Sequence, residues 1–136
     1  MSNSTSRVVI DTNIWISFLI GKSLKSLLPK IIDKKVQLLF SHESLEELVN
    51  VLHRPKLQKY FSSSQVSELL LLINQLAEVI EVKSKVDACR DPKDNFLLAL
   101  CLDGKADYLV TGDEDLLVLE EFHNTTIQNY QAFKLL

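Results

Sequence analysis

Along this chain, short apolar runs stop on acidic or polar residues, and stretches of helical spacing lie between them. The first run is Arg7-Val8-Val9-Ile10, closed by Asp11-Thr12-Asn13. Consecutive β-branched apolar residues predict a strand covered on both faces, as in a parallel sheet with helices on either side. The strand would deliver Asp11 to the sheet's carboxyl edge, where ligands bind in open α/β folds. Asp11 has two readings here: a group placed for chemistry, or an acid that merely caps the next helix, predicted over 14–20 and ended by Gly21.

Helical spacing resumes over 23–33, where Leu24, Leu27, Leu28, Ile31 and Ile32 form an apolar stripe and Lys22, Lys25, Lys30 and Lys34 fall outside it. A second buried strand is predicted over 36–40, and Ser41 is the N-cap of a helix running to about Leu52. Its core stripe is Leu45, Leu48, Val49 and Leu52, which leaves Glu43 and Glu47 exposed. Arg54-Pro55 breaks this helix, and 56–60 continues as a basic, partly aromatic segment. Ser62-Ser63-Ser64 caps a helix over 65–77 whose centre, 69–73, is apolar all the way round. Such a helix is either a partner interface or buried between two layers of its own domain. A short edge strand is predicted over 78–82.

Cys89-Arg90-Asp91-Pro92-Lys93-Asp94-Asn95 runs straight into an apolar helix. Pro92 suits its first turn and Asp91 its N-cap, so Asp91 needs no function to explain it. Asp94 lies one turn further in. The helix ends at 103–105. A buried strand over 106–110 follows and stops on Thr111-Gly112-Asp113-Glu114-Asp115. A short helix over 116–121, a last strand over 125–128 and a C-terminal helix from the Asn129 cap to Leu136 complete the pattern.

At 136 residues, 46% hydrophobic and 24% charged, the chain fits one globular domain over 7–136 after a disordered lead-in over 1–6. No apolar run is long enough to span a bilayer and no basic-then-apolar leader opens the chain, so a cytoplasmic location is expected. Cys89 and Cys101 have neither zinc-site spacing nor disulfide density, and His42, His53 and His123 are scattered, which argues against a transition-metal site. Net charge is −3, but residues 1–60 carry nine basic and five acidic side chains and residues 61–136 six and thirteen. One half could hold a polyanion and the other divalent cations, or the asymmetry is chance.

Strands alternating with amphipathic helices predict a parallel α/β sheet layered by helices, with strand carboxyl ends on one edge. Asp11 and Asp113 then share that edge, and Asp94 and Glu47 can close a ring around them. Crowded carboxylates repel one another unless a hard cation binds, and oxygen donors without paired His or Cys suit Mg²⁺ or Mn²⁺. Such ions activate water for in-line displacement at a phosphodiester.

In order along the chain stand Val9-Ile10-Asp11-Thr12-Asn13, then Glu46-Glu47-Leu48 ahead of Arg54-Pro55-Lys56, then Asp91-Pro92-Lys93-Asp94-Asn95, and finally 107–116. With these motifs, from about Arg7 to about Leu135, the sequence resembles the PIN-domain ribonucleases, many of them toxins of bacterial toxin-antitoxin pairs. The resemblance implies a three-layer α/β/α sandwich with a central, mostly parallel sheet, and a metal-dependent endoribonuclease. By the same resemblance Asp11, Glu47, Asp94 and Asp113 match the acids that hold Mg²⁺ or Mn²⁺ and orient water, with Asp91 as an alternative to Asp94. Asp115 matches a further acid, and Thr12, Asn13 and Thr111 match polar residues lining the site. It also implies RNA as substrate, a homodimer and a small antitoxin protein, with the apolar helix as the candidate contact for dimer or antitoxin. Lys22, Lys25, Arg54, Lys56 and Lys59 are the candidates for RNA-backbone contacts, because a site of acids needs basic neighbours to hold a polyanion. Two rival expectations are a non-catalytic RNA-binding or scaffold protein of the same fold, and a Mg²⁺-dependent phosphatase with Asp11 as nucleophile. The phosphatase expects a second acid where Asn13 stands.

Overall fold

The structure, a computed structural model, describes residues 5–21, 29, 30, 33 and 35–133. Among these, six strands form one sheet in the order β3-β2-β1-β4-β6-β5: β1 Ser6–Ile10, β2 Val36–Phe40, β3 Glu78–Val79, β4 Tyr108–Val110, β5 Glu121–Phe122 and β6 Thr125–Gln128. All neighbours pair in parallel except β5 with β6. The helices are α1 (Thr12–Gly21), α2 (His42–Leu52), α3 (Ser63–Leu76), α4 (Pro92–Asp103), α5 (Glu114–Leu117) and α6 (Tyr130–Phe133).

Side chains alternate across a strand, so each strand feeds two cores. Val8, Ile10, Leu38, Phe40 and Val110 face one way, where they meet Trp15 and Phe18 of α1, Leu48 and Leu52 of α2, Leu69 and Ile73 of α3, and Phe133 of α6. Val9, Leu39, Leu109 and Ile127 face the other way, onto Leu98, Leu100 and Cys101 of α4 and Leu116 of α5. The result is the expected three-layer α/β/α sandwich around a mostly parallel sheet.

Local differences from the expected elements have identifiable causes. β1 takes in Ser6, and α1 starts directly after Asp11 because Asp11 itself acts as the cap: its carbonyl accepts from the Ile14 and Trp15 amides at 3.0 and 3.3 Å. On α2, Val51 is buried where Val49 was expected to be, since the stripe turns with the helix toward its end. The edge strand shrinks to β3, and the chain then runs irregularly to Asp91. The helix expected over 116–121 stops at Leu117, because Glu120 turns with φ of 63° and sends Glu121 and Phe122 into β5. In α3 the apolar circumference divides: Val66, Leu69 and Ile73 are buried, whereas Leu71 is 60% exposed. The helix expected over 23–33, with Lys22, Lys25 and Lys34, lies largely outside the described residues, as does 134–136.

The amino-terminal edge of the sheet is fastened by Arg7. Its guanidinium donates to both Glu78 carboxylate oxygens at 3.0 Å and to the Gly104 carbonyl at 2.9 Å. The backbone packs closely at Gly104, where a Cβ would stand 3.0 Å from the Leu100 carbonyl and 3.1 Å from Leu39, so a larger residue there would make these neighbours shift.

Candidate active site

β1 lies between β2 and β4, so the chain leaves β1 toward one side and returns on the other, which opens a crevice beyond their carboxyl ends. Asp11 extends the pairing by one residue through its amide to the Val110 carbonyl at 3.0 Å, which brings the ends of β1 and β4 side by side. Thr111, fully buried, then ties the two ends together. Its hydroxyl donates to Asp11 Oδ2 at 2.9 Å and accepts from the Asp113 amide at 3.1 Å.

The acids here also start helices. Asp11 Oδ1 accepts from the Asn13 amide at 3.4 Å, Asp91 Oδ1 from Lys93 at 2.9 Å, and Asp113 Oδ1 from Asp115 at 2.9 Å. An acid in that position is favoured by the exposed amides and the helix dipole. The capping and chemical readings of Asp11 therefore do not exclude each other.

Asp94 is different. It sits in the first turn of α4, is 5% exposed, and its Oδ2 has no hydrogen-bond partner among the described residues. Burial first, then the charges of Asp113 and Asp91, a side-chain hydrogen bond with Asp113, and the charge of Asp11 push its carboxyl up to about 6. Carboxylate oxygens of Asp94, Asp113 and Asp115 all lie within 4.8 Å of one another. Asp91, exposed and spent on capping, is outside that group.

These residues border a cleft of about 510 Å³ lined by Asp11, Thr12, Asn13, Glu47, Asp91, Asp94 and Asp113 among others. Glu47 reaches it from α2, where the Ser41–Ser44 capping box fixes the start of the helix, and its Oε2 stands 3.4 Å from the Thr12 hydroxyl. Arg54 lines the cleft as well. Lys56 and Lys59 are exposed but are not among its lining residues, and Lys22 and Lys25 lie outside the described residues.

Several contributors escaped the sequence reading. Glu43, Ser44, Lys93, Phe96 and Leu97 also line the cleft. For Glu43 and Ser44 a signal existed, since residues four or three before Glu47 share its helix face. Asn95 holds the loop ahead of α4: its Oδ1 accepts from Ala88 and Cys89 at 3.0 and 2.7 Å, and its Nδ2 donates to the Cys89 carbonyl at 2.9 Å. Burial and the surrounding acids raise the Cys89 thiol, and burial raises Cys101 to about 12, so neither is an activated nucleophile.

The donor set consists of hard oxygens, is crowded with like charge, and contains a buried oxygen without a partner. Those features fit a hard divalent cation such as Mg²⁺ or Mn²⁺. Fold and site thus define an α/β protein with a carboxylate-walled cleft at its topological switch point. Comparison with known proteins gives the family: a PIN domain match covers residues 7–115, and the chain belongs to the PIN domain family. Members are generally nucleases and typically bind divalent metals. The chain is 30% identical over 118 residues, 85% of its own length and 76% of the other's, to the uncharacterized protein MJ1680 of Methanocaldococcus jannaschii. PAE2754 from Pyrobaculum aerophilum shares the fold, with a TM-score of 0.59 and 16% identity over 96% of this chain and 88% of that one. Among the described residues, no helix is long and apolar enough to cross a membrane.

Proposed function

We propose that this chain is a metal-dependent endoribonuclease that hydrolyses RNA phosphodiester bonds with water. The observation that carries the reading is Asp94: a buried carboxylate with an unpartnered oxygen, pressed against Asp113, is unfavourable unless a cation completes it. Asp94 and Asp113, with Asp11 beside them, would hold Mg²⁺ or Mn²⁺, and Asp115 is the remaining acid of the tight group. The bound ion supplies a lowered water pKa and neutralises charge developing on the phosphate.

The chain's own residues divide the other tasks. Thr111 fixes the spacing of Asp11 and Asp113, and Thr12 does the same for Glu47 from the opposite wall. Glu47 is exposed, with its other oxygen available to accept a proton from water in the cleft. Asn13 borders the same space, and Asp91 supports it indirectly by starting α4. Arg54 and Lys93 line the cleft, have no ion pair among the described residues and supply positive charge for the strand's phosphates, with Lys56 and Lys59 following Arg54 in the chain.

The reading extends to a cytoplasmic toxin held in check by a small antitoxin protein, and to a homodimer through the exposed side of α3. The decisive experiment is cleavage of single-stranded RNA with Mn²⁺ or Mg²⁺. Activity should fall at least 100-fold in Asp11→Asn, with the melting temperature within a few degrees of native. Full cleavage by that variant would sink the proposal, and salt-sensitive RNA binding without cleavage by the native chain would favour a binding protein instead.

A further inference from the structure

Arg90 stands immediately before the Asp91 cap, and its Nη2 lies 3.2 and 3.1 Å from the two carboxylate oxygens of Asp115. The pair is exposed, with the Arg90 side chain 88% accessible, so its value as a surface ion pair is small. Its placement matters more. Asp115 belongs to the tight carboxylate group with Asp94 and Asp113, so a permanent positive charge stands at one end of that group. Both oxygens of Asp115 face the same guanidinium nitrogen, whereas Asp94 and Asp113 have no cationic partner among the described residues.

Among the described residues only Nη2 is engaged, which leaves the Nε and Nη1 donors of Arg90 turned to no protein partner there. A guanidinium anchored by one nitrogen still presents a fork that matches two phosphate oxygens. Lys93 and Arg54 carry positive charge in the cleft lining, and Arg90, which does not line it, adds charge at Asp115, whose close neighbours Asp94 and Asp113 do line it. We propose that Arg90 is a phosphate-binding residue of this site, positioned by Asp115, and that Asp115 serves Arg90 rather than a metal ion. The phosphate role rests on the RNA-hydrolase reading; the assignment of Asp115 does not.

Two measurements on the full chain test this. Mn²⁺ binding, followed by the paramagnetic resonance of free Mn²⁺, is compared for native protein, Asp115→Asn and Arg90→Gln. Asp115→Asn should bind within about twofold of native, while a tenfold loss in a variant that melts normally would place Asp115 on the ion and overturn the assignment. Binding of a single-stranded oligoribonucleotide in EDTA is then followed by fluorescence anisotropy over a range of salt. Arg90→Gln should weaken binding about fivefold and reduce the slope of log K against log salt by ~0.7. An unchanged slope removes Arg90 from the phosphates and leaves the hydrolase reading intact. If the native chain binds no RNA at any salt, the phosphate role and that reading fall together, and the Mn²⁺ comparison still decides Asp115.

Discussion

At the scale of single residues, the site depends on two side chains with opposite problems. Thr111 has its hydroxyl used both ways: it donates to Asp11 and accepts from the Asp113 amide, from a fully buried position. Thr111→Val keeps the shape and removes both bonds, which should cost about 2–3 kcal/mol in urea unfolding and abolish cleavage, while Thr111→Ser restores most of each. Asp94 has the reverse problem. Its native carboxyl keeps its proton up to about 6, whereas an unfolded Asp releases it near ~4. The native state therefore binds more protons through that window, so this contribution to stability is full below about pH 4 and lost as pH rises through about 6. Metal-free Asp94→Asn escapes the loss. Its stability relative to native should grow from near zero at pH 4 to about 1–2 kcal/mol at pH 7 in thermal melts, and added Mn²⁺ should stabilise only the native chain.

At the scale of elements, the legible features were those written as long patterns. The runs at 8–10 and 36–40 announced β1 and β2, and Ser41, Ser62 and Asp91 announced helix starts, because burial and capping are local demands on residue type. β5 was not legible: two residues have no periodicity, and its existence turns on a positive φ at Glu120 that an acid does not advertise. At the site, the acids stood out as candidates, but whether Asp91 or Asp94 joins the close carboxylate group depends on which face of α4 packs on the sheet, a long-range fact. The irregular segment after β3 shows the same limit. It is held by Asp103, whose carboxylate accepts from the Lys83 and Ser84 amides at 2.6 and 2.8 Å and from the Ser84 hydroxyl. Those bonds, the Ser84 hydroxyl foremost, hold the Asp103 carboxyl below its usual range, so its support is present above about pH 4 and lost as pH falls. Asp103→Ala should raise hydrogen exchange of the Lys83 and Ser84 amides about tenfold or more at neutral pH, with the amides of β1 unaffected.

For the whole molecule, charge and apolar surface are distributed unevenly around one sheet. The carboxyl edge collects acids, and the opposite edge is closed by the Arg7–Glu78 pair and the Gly104 carbonyl. The flank has something to gain: α3 commits Val66, Leu69 and Ile73 to the core yet leaves Leu71 60% exposed. A side chain that is already in water can be made charged at little cost to the fold, so Leu71→Glu separates packing within the chain from packing between chains. If α3 joins two copies, sedimentation at tens of micromolar should show a dimer for the native chain and a monomer for Leu71→Glu, with melting temperatures within about 2 °C at concentrations where both are monomeric. A native chain that sediments as a monomer throughout, or a variant that still pairs, would remove α3 from self-association while leaving the carboxylate cleft on its own chain untouched.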